Sequence, residues 1–490
     1  MKGNYITGFL NTTTVVLMLF LLIGPFNSSS QAQKSQYEWV NEFISTYNSH
    51  DQARMKSLLL DKFHKAYHGT AKYWQGVYKE FGQVKLLSVG KDTINGRAII
   101  WTRSTNTENF VAFAYKLAKS APLKINRMGV IRGMIPSGLT RKVPDLEQAA
   151  ERINTHLEKL EHLDVFSGTV LVAHKGQILI NKAVNFSERQ TKIPNDANTR
   201  FLIASTTKMF TATAIAQLVE RGLLNYNDPI SKHLPDYPAH IGSKVTIHHL
   251  LTHSSGIELD EIGAYNKSIA RVSNLEELYQ THLKYLPKLK NYDNYKLPEE
   301  FNYTNEGFDL AGYIVQKVSG EDFFDYLAKH VFEKGSMDNT GDFELDKEIA
   351  NLARGYYSSK SDERKLNTRH LPARSRPAGS FYSTSHDLFR FVQSLQNGTL
   401  MKQETFERVT SSQITSYVNP ISSSKYGYGF SLNSMSGLES WGHAGVAPGM
   451  GARCDVYPES GFTVIVLSNY DKAAAIVANY IRDTLHFQIH

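Results

Sequence analysis

Strand-forming runs stand at both ends of one long stretch of this chain, and that placement limits its architecture more than any other feature. Residues 167–184 read as a hairpin: Gly-Thr-Val-Leu-Val-Ala from Gly168, a turn at Lys175-Gly176, then Gln-Ile-Leu-Ile from Gln177. Far downstream, residues 451–457 and 461–467 are strand-like again, and a helix is expected from about Asp471 to Leu485. Between these ends, residues 146–163 and 205–221 read as helices, the second stopped by Gly222, and helices and loops fill 225–400. Strands at the ends with helices between predict a single sheet, assembled from both ends and covered by helices, in the α/β (α+β) class.

At 490 residues the chain is too long for one typical domain. In residues 37–47, Val40, Phe43, Ile44 and Tyr47 fall at helical spacing. Asn48-Ser49-His50-Asp51 breaks that helix, a second short helix is expected over 53–60, and strand-like segments follow at 83–89, 97–102 and 110–117. Pro136-Ser137-Gly138 through Pro144 reads as a linker. A helix ending in Tyr-Asn-Ser-His-Asp, a second helix and a curled antiparallel sheet resemble the nuclear-transport-factor-two-like cone fold, which implies a binding or dimerisation module. Domains are therefore expected at 33–140, small and α+β, and at 145–490.

Ahead of them, Lys2, an apolar run over 15–23, Gly24-Pro25 and the small-x-small site Ser30-Gln31-Ala32 follow the order of a secretory signal peptide over residues 1–32. The run is short for a membrane anchor, and no Cys stands near the cleavage site for a lipid. Export to the periplasm or the medium is expected. Cys454 is the sole cysteine, so no intramolecular disulfide forms, and it reads as a packed strand residue. Residues 33–145 hold 18 Lys and Arg against 8 acids, whereas 146–490 hold 35 against 39. The basic charges are scattered, which favours a solvated face over a site for an anionic envelope polymer. There is no nucleic-acid motif.

Ser-x-x-Lys occurs at Ser88, Ser205 and Ser422. Ser88 ends a strand and Ser422 lies in a Ser-rich loop, while Ser205 opens a strong helix in Phe-Leu-Ile-Ala-Ser-Thr-Thr-Lys-Met. Lys208, one turn on, shares its face, so the amine can reach the hydroxyl. The helix start also offers free N–H groups and a positive dipole end. A hydroxyl needs such a base before it attacks; the alternative is a helix cap. Tyr-x-Asn occurs at Tyr292, Tyr303 and Tyr417. Tyr303-Thr-Asn305 feeds directly into a helix, where a phenol can exchange a proton with Ser205 and Asn305 can hold Lys208 or a substrate amide. His443-Ala-Gly445 precedes a strand whose small residues let a substrate lie against the backbone.

These three motifs, in this order, resemble the serine β-lactamase and penicillin-binding-protein superfamily, particularly class C β-lactamases, D-aminopeptidases and related esterases. Val245-Thr-Ile-His-His-Leu-Leu-Thr-His-Ser-Ser-Gly, Ala378-Gly-Ser-Phe-Tyr-Ser-Thr-Ser-His-Asp-Leu and Val464-Ile-Val-Leu-Ser-Asn are similar too, and the likeness spans about 150–490. The resemblance implies a class C β-lactamase-like domain with Ser205 as nucleophile, Lys208 and Tyr303 as its activators, and Asn305, His443 and Gly445 against the substrate. It further implies an oxyanion hole from the N–H groups of Ser205 and Val446, and no cofactor. The substrate would be a small molecule or peptide carrying an ester, amide or D-amino-acid peptide bond. A true β-lactamase and an inactive binding protein are the alternatives. His443 departs from the lysine many β-lactamases carry. A histidine charged part of the time would hold a substrate carboxylate less well as pH rises through about 6.5. The His249-x-x-x-His253 spacing suits a metal, but no Glu follows His249 and no metal is expected. Asp309 and Asp387 read as helix-face and helix-start residues.

Overall fold

The computed structural model describes residues 30–63, 71–91, 97–117, 125–131, 133–136, 139–259, 262–358, 363–418 and 422–488. The apolar run of the expected signal segment lies outside them. Among the described residues no helix is long and apolar enough to cross a membrane.

The small domain begins with α1 (Ser30–Asn48) and α2 (Gln52–Lys62). What breaks them apart is a cap: the Asp51 carboxylate accepts the backbone N–H groups of Ala53 and Arg54. A third helix, α3 (Ala71–Phe81), was not expected; Gly76, Tyr73 and Tyr78 mask the helical spacing of Trp74, Val77 and Phe81. The antiparallel sheet runs in order β1 (Val84–Lys91), β2 (Ala98–Ser104), β3 (Phe110–Leu117), β4 (Ile125–Ile131). The last strand, Ile-Asn-Arg-Met-Gly-Val-Ile, has no clean alternation and was also unexpected. Phe43 sets its ring edge against Trp74 and Phe113, each at 5.3 Å, and joins helices to sheet.

In the larger domain, α4 (Leu146–His162) is capped by Asp145. After it come β5 (Gly168–His174), β6 (Gln177–Val184), α5 (Lys208–Glu220) and α6 (Glu306–Ser319). Then follow β7 (Ile414–Val418), β8 (Ser422–Tyr426), β9 (Ser431–Met435), β10 (Leu438–Ala447), β11 (Met450–Tyr457), β12 (Phe462–Ser468) and α7 (Ala473–His486). Eight strands form one antiparallel sheet, ordered β7-β8-β9-β10-β11-β12-β5-β6. β12 pairs with β5, Leu467 opposite Thr169, so the sheet is assembled from both ends as expected. Strands β7 to β10 enlarge it beyond the expectation, and Ser422 opens β8 rather than lying in a loop.

Helices cover both faces, which is why all seven residues of β12 are buried. Leu171, Cys454, Ile465 and Leu467 pack toward α5 and the helical region. Val170, Val172, Val464 and Val466 pack against α4 and α7. Cys454 lies in this core, and burial raises its thiol pKa.

The segment between the domains is pinned. Lys142 N–H donates to His486 O at 3.0 Å, and Gln488 N–H donates to Thr140 O at 2.8 Å. Asn109 Nδ2 donates to Ile476 O at 3.0 Å. Phe110 and Ile135 are buried in the same cluster as α4 and α7. The small domain thus supplies part of the larger domain's apolar cover. Phe110→Ala is expected to destabilise the larger domain by about 3 kcal/mol, the usual cost of emptying a buried Phe site. Urea unfolding followed by a probe in the larger domain measures it, and an unchanged midpoint there would show that the domains are energetically separate. The fragment 145–490, which loses the same cover, is expected to fold but to melt below the intact chain.

Candidate active site

Ser205 lies in a single 3-10 turn, Ala204–Thr207, and the α-helix proper starts at Lys208, three residues later than expected. The turn is entered through Ala204, a non-glycine residue with φ of 45°. Ser205 does not cap α5. Its Oγ accepts from Lys208 Nζ at 3.3 Å.

Lys208 is wholly buried. Its other two donors are used as well, on Asn305 Oδ1 at 2.8 Å and Ala378 O at 2.7 Å. The ammonium also lies 4.9 Å from the centre of the Tyr303 ring. Tyr303 and Thr304 sit in irregular chain just before α6, and the Tyr303 ring stacks on His253 with centroids 4.1 Å apart. Tyr303 is 42% exposed, so its ring opens to solvent beside a buried cation.

The third motif lies on β10. A Cβ placed on Gly445 would sit 2.0 Å from Ile203 O and 3.0 Å from Thr206 Oγ1. Glycine there lets the strand lie against the turn that carries Ser205, and Val446, 55% exposed, follows it along the strand. The structure therefore brings Ser205, Lys208, Tyr303, Asn305, Gly445 and Val446 into one locality. Ser88 is in β1 and Ser422 in β8, and the Lys208 contacts involve neither.

His443 requires a correction. Its ring is 5% exposed. Nδ1 donates to Ala444 O at 2.7 Å, which leaves Nε2 to accept the Tyr426 hydroxyl at 2.8 Å. Burial, with the nearby Lys208 charge, lowers the imidazole pKa to about 3. A neutral ring committed at both nitrogens does not hold a substrate carboxylate by charge. The motif gave the residue type, but its protonation state is set by Tyr426 and by burial.

Two contributors escaped the sequence reading. Asp309, 4% exposed, accepts the Ala378 N–H at 3.1 Å and pairs with Arg376 at 2.7 Å, and so holds the carbonyl that receives Lys208. Tyr426 holds His443. Neither stands near its partner in sequence, so no local spacing could reveal them. The His249-x-x-x-His253 pair is otherwise engaged. His249 Nδ1 accepts the Thr246 N–H at 3.0 Å, and His253 turns to Tyr303. Among the described residues no group of three or more His, Cys, Asp or Glu is placed to hold a metal.

Comparison with known proteins follows this geometry. Residues 154–485 match the β-lactamase family. The PbpX protein of Bacillus subtilis strain 168 is 30% identical over 319 residues, 65% of this chain and 73% of PbpX. The crystal structure of a penicillin binding protein from Bacillus halodurans is 28% identical and covers 70% of this chain and 99% of its own, with a TM-score of 0.58. D-amino acid amidase from Ochrobactrum anthropi SV3, crystallised with L-phenylalanine amide, is 20% identical over 70% of this chain and 99% of its own. Its TM-score of 0.57 reflects a shared fold.

A pH prediction follows from His443. Its folded-state pKa lies below the unfolded value of about 6.5, so its contribution to stability is complete above that pH and falls away on acidification toward pH 3. Between pH 6.5 and 5 the loss is about 2 kcal/mol. His443→Asn, which cannot titrate, is expected to lower the unfolding free energy by about that much less than the native chain between pH 7 and 5. Parallel losses in urea melts would mean that the ring is charged or exposed in the fold.

Proposed function

Because the chain belongs to the β-lactamase family, we propose that it is a serine hydrolase whose acyl-enzyme forms on Ser205 and whose substrates are esters or amides without a carboxylate, D-amino-acid amides among them. The observation that carries this reading is the Lys208 ammonium, buried and bonded at once to Ser205 Oγ, Asn305 Oδ1 and Ala378 O, with the Tyr303 ring beside it. Ser205 Oγ adds to the carbonyl carbon as its proton passes to the Lys208–Tyr303 pair in the form that has already lost one proton, phenolate beside ammonium or phenol beside amine. The N–H groups of Ser205 and Val446 receive the oxyanion. Collapse of the tetrahedral adduct expels the alcohol or amine, which takes that proton, and water then cleaves the acyl–Ser205 ester.

The likeness to penicillin-binding proteins and to an amidase supports acyl transfer. Neutral His443 argues for substrates without a carboxylate over β-lactams, whose carboxylate would want a fixed cation at this position. The pattern of residues 1–32 supports a place outside the cytoplasm, in the periplasm or the medium. There the basic small domain would meet anionic envelope polymer.

Ser205→Ala is expected to abolish fluorophosphonate labelling and p-nitrophenyl ester turnover without changing the melting temperature; full activity in that variant would end this mechanism. Labelling by a fluorescent penicillin without turnover would instead favour a binding protein. Esters of a neutral acid and of a dicarboxylic acid are expected to share one profile of kcat/KM between pH 5 and 8. A limb near 6.5 confined to the anionic ester would restore a charged His443.

A further inference from the structure

Tyr303 has no regular secondary structure to aim it. It precedes α6 in irregular chain and is partly exposed, yet proton exchange with Ser205 requires its phenol to be held to within about an ångström. One residue touches this tyrosine's ring and binds the backbone on both sides of it. His253 accepts the Asn302 N–H on its own carbonyl at 2.7 Å. It accepts the Thr304 N–H on ring Nδ1 at 3.2 Å. Its ring stacks on Tyr303, 4.1 Å between centroids and 29° between planes.

His253 is itself tightly held. It is wholly buried, between the rings of Phe301, Phe308 and Tyr426 at 5.5, 5.1 and 4.8 Å. Its backbone takes the left-handed conformation, φ of 55°, which a β-carbon residue adopts only where surrounding contacts impose it. Because Nδ1 accepts from Thr304, the ring proton sits on Nε2, which has no hydrogen-bond partner among the described residues. The ring is neutral: burial, then the Lys208 charge and His443, hold its pKa well below the usual histidine range. A neutral ring can lie beside the Lys208–Tyr303 pair without adding a second cation.

We infer that His253 is a positioning residue for Tyr303, fixing the phenol toward Ser205 through two backbone hydrogen bonds and one ring stack. It takes no proton from the substrate. The inference rests on the serine-hydrolase reading above, in which Tyr303 shuttles the Ser205 proton.

The test is a double-mutant cycle in the full chain, with p-nitrophenyl acetate as substrate and fluorophosphonate as the label for Ser205. His253→Asn keeps an acceptor near Nδ1 and tolerates the left-handed backbone, but removes the stack. His253→Phe keeps the stack and removes the acceptor. In either variant kcat and the labelling rate are expected to fall about 10- to 100-fold with KM within about twofold, as a misplaced catalytic group predicts. In a Tyr303→Phe background the same substitutions are expected to cost no further activity, because the group they aim is already gone. Native kcat in folded His253→Asn, or an undiminished loss in the Tyr303→Phe background, would overturn the positioning role. Failure of the native chain to label or turn over would sink the hydrolase reading itself, and this inference with it. Unaltered activity of Tyr303→Phe alone would remove the role assigned to the tyrosine.

Discussion

Burying the Lys208 ammonium is the constraint to which the rest of the site answers. A cation out of water costs several kcal/mol unless each N–H finds an acceptor. Here the three acceptors come from three separate elements: Ser205 from the turn before α5, Asn305 from the start of α6, and Ala378 from a loop far downstream. Those elements must converge for the lysine to be tolerated, so its burial demands a tertiary arrangement. That convergence is also what places a hydroxyl, an amide side chain and a phenol ring around one ammonium. The supporting residues serve it. Asp309 fixes the Ala378 N–H, and Gly312 leaves room for Pro377, whose Cγ a Cβ would meet at 2.2 Å. Thr211 takes up the Pro377 carbonyl with its hydroxyl at 2.7 Å.

How far the sequence could be read follows from how far apart the interacting groups lie. Ser205 and Lys208 share one turn, and Tyr303 and Asn305 share one loop, so spacing alone placed each pair. β11, β12 and α7 were legible because they are continuous, strongly periodic and buried. β7 to β9 were not: Ser-Ser-Ser-Lys-Tyr and Ser-Leu-Asn-Ser-Met carry little apolar alternation and are strands because β10 offers an edge to β9, and β9 in turn to β8. Asp309, Tyr426 and His253 act across long sequence separations, where no period reports a contact. His443 shows the same limit in electrostatic form. Its place in the motif was plain, but its charge depends on a hydroxyl 17 residues away and on burial that only the fold creates.

Left-handed backbone occurs at turns throughout the chain, and three such residues stand beside the candidate site. Ala204, immediately before the nucleophile, His253 under Tyr303 and Ser380 beside the turn all take positive φ without being glycine, at 45°, 55° and 72°. Such conformations cost about 1–3 kcal/mol each and persist only where neighbours impose them. The neighbours are identifiable. Ala204 O receives the Thr207 hydroxyl at 2.8 Å and the Ser380 N–H at 3.3 Å, so two of the strained residues hold one another. Ile203 N–H, just ahead, donates to Phe381 O at 2.8 Å and ties the turn to the strand pairing of Tyr382 with Leu202. Beyond this left-handed step, Ser205 Oγ accepts from Lys208 and the turn lies against Gly445 of β10. The surroundings of Ser205 are thus supplied by β10 and by the 376–382 segment, which lie 170 residues and more from it along the chain. The same Ser-x-x-Lys spacing at Ser88 and Ser422 lies in strands, where no such turn forms.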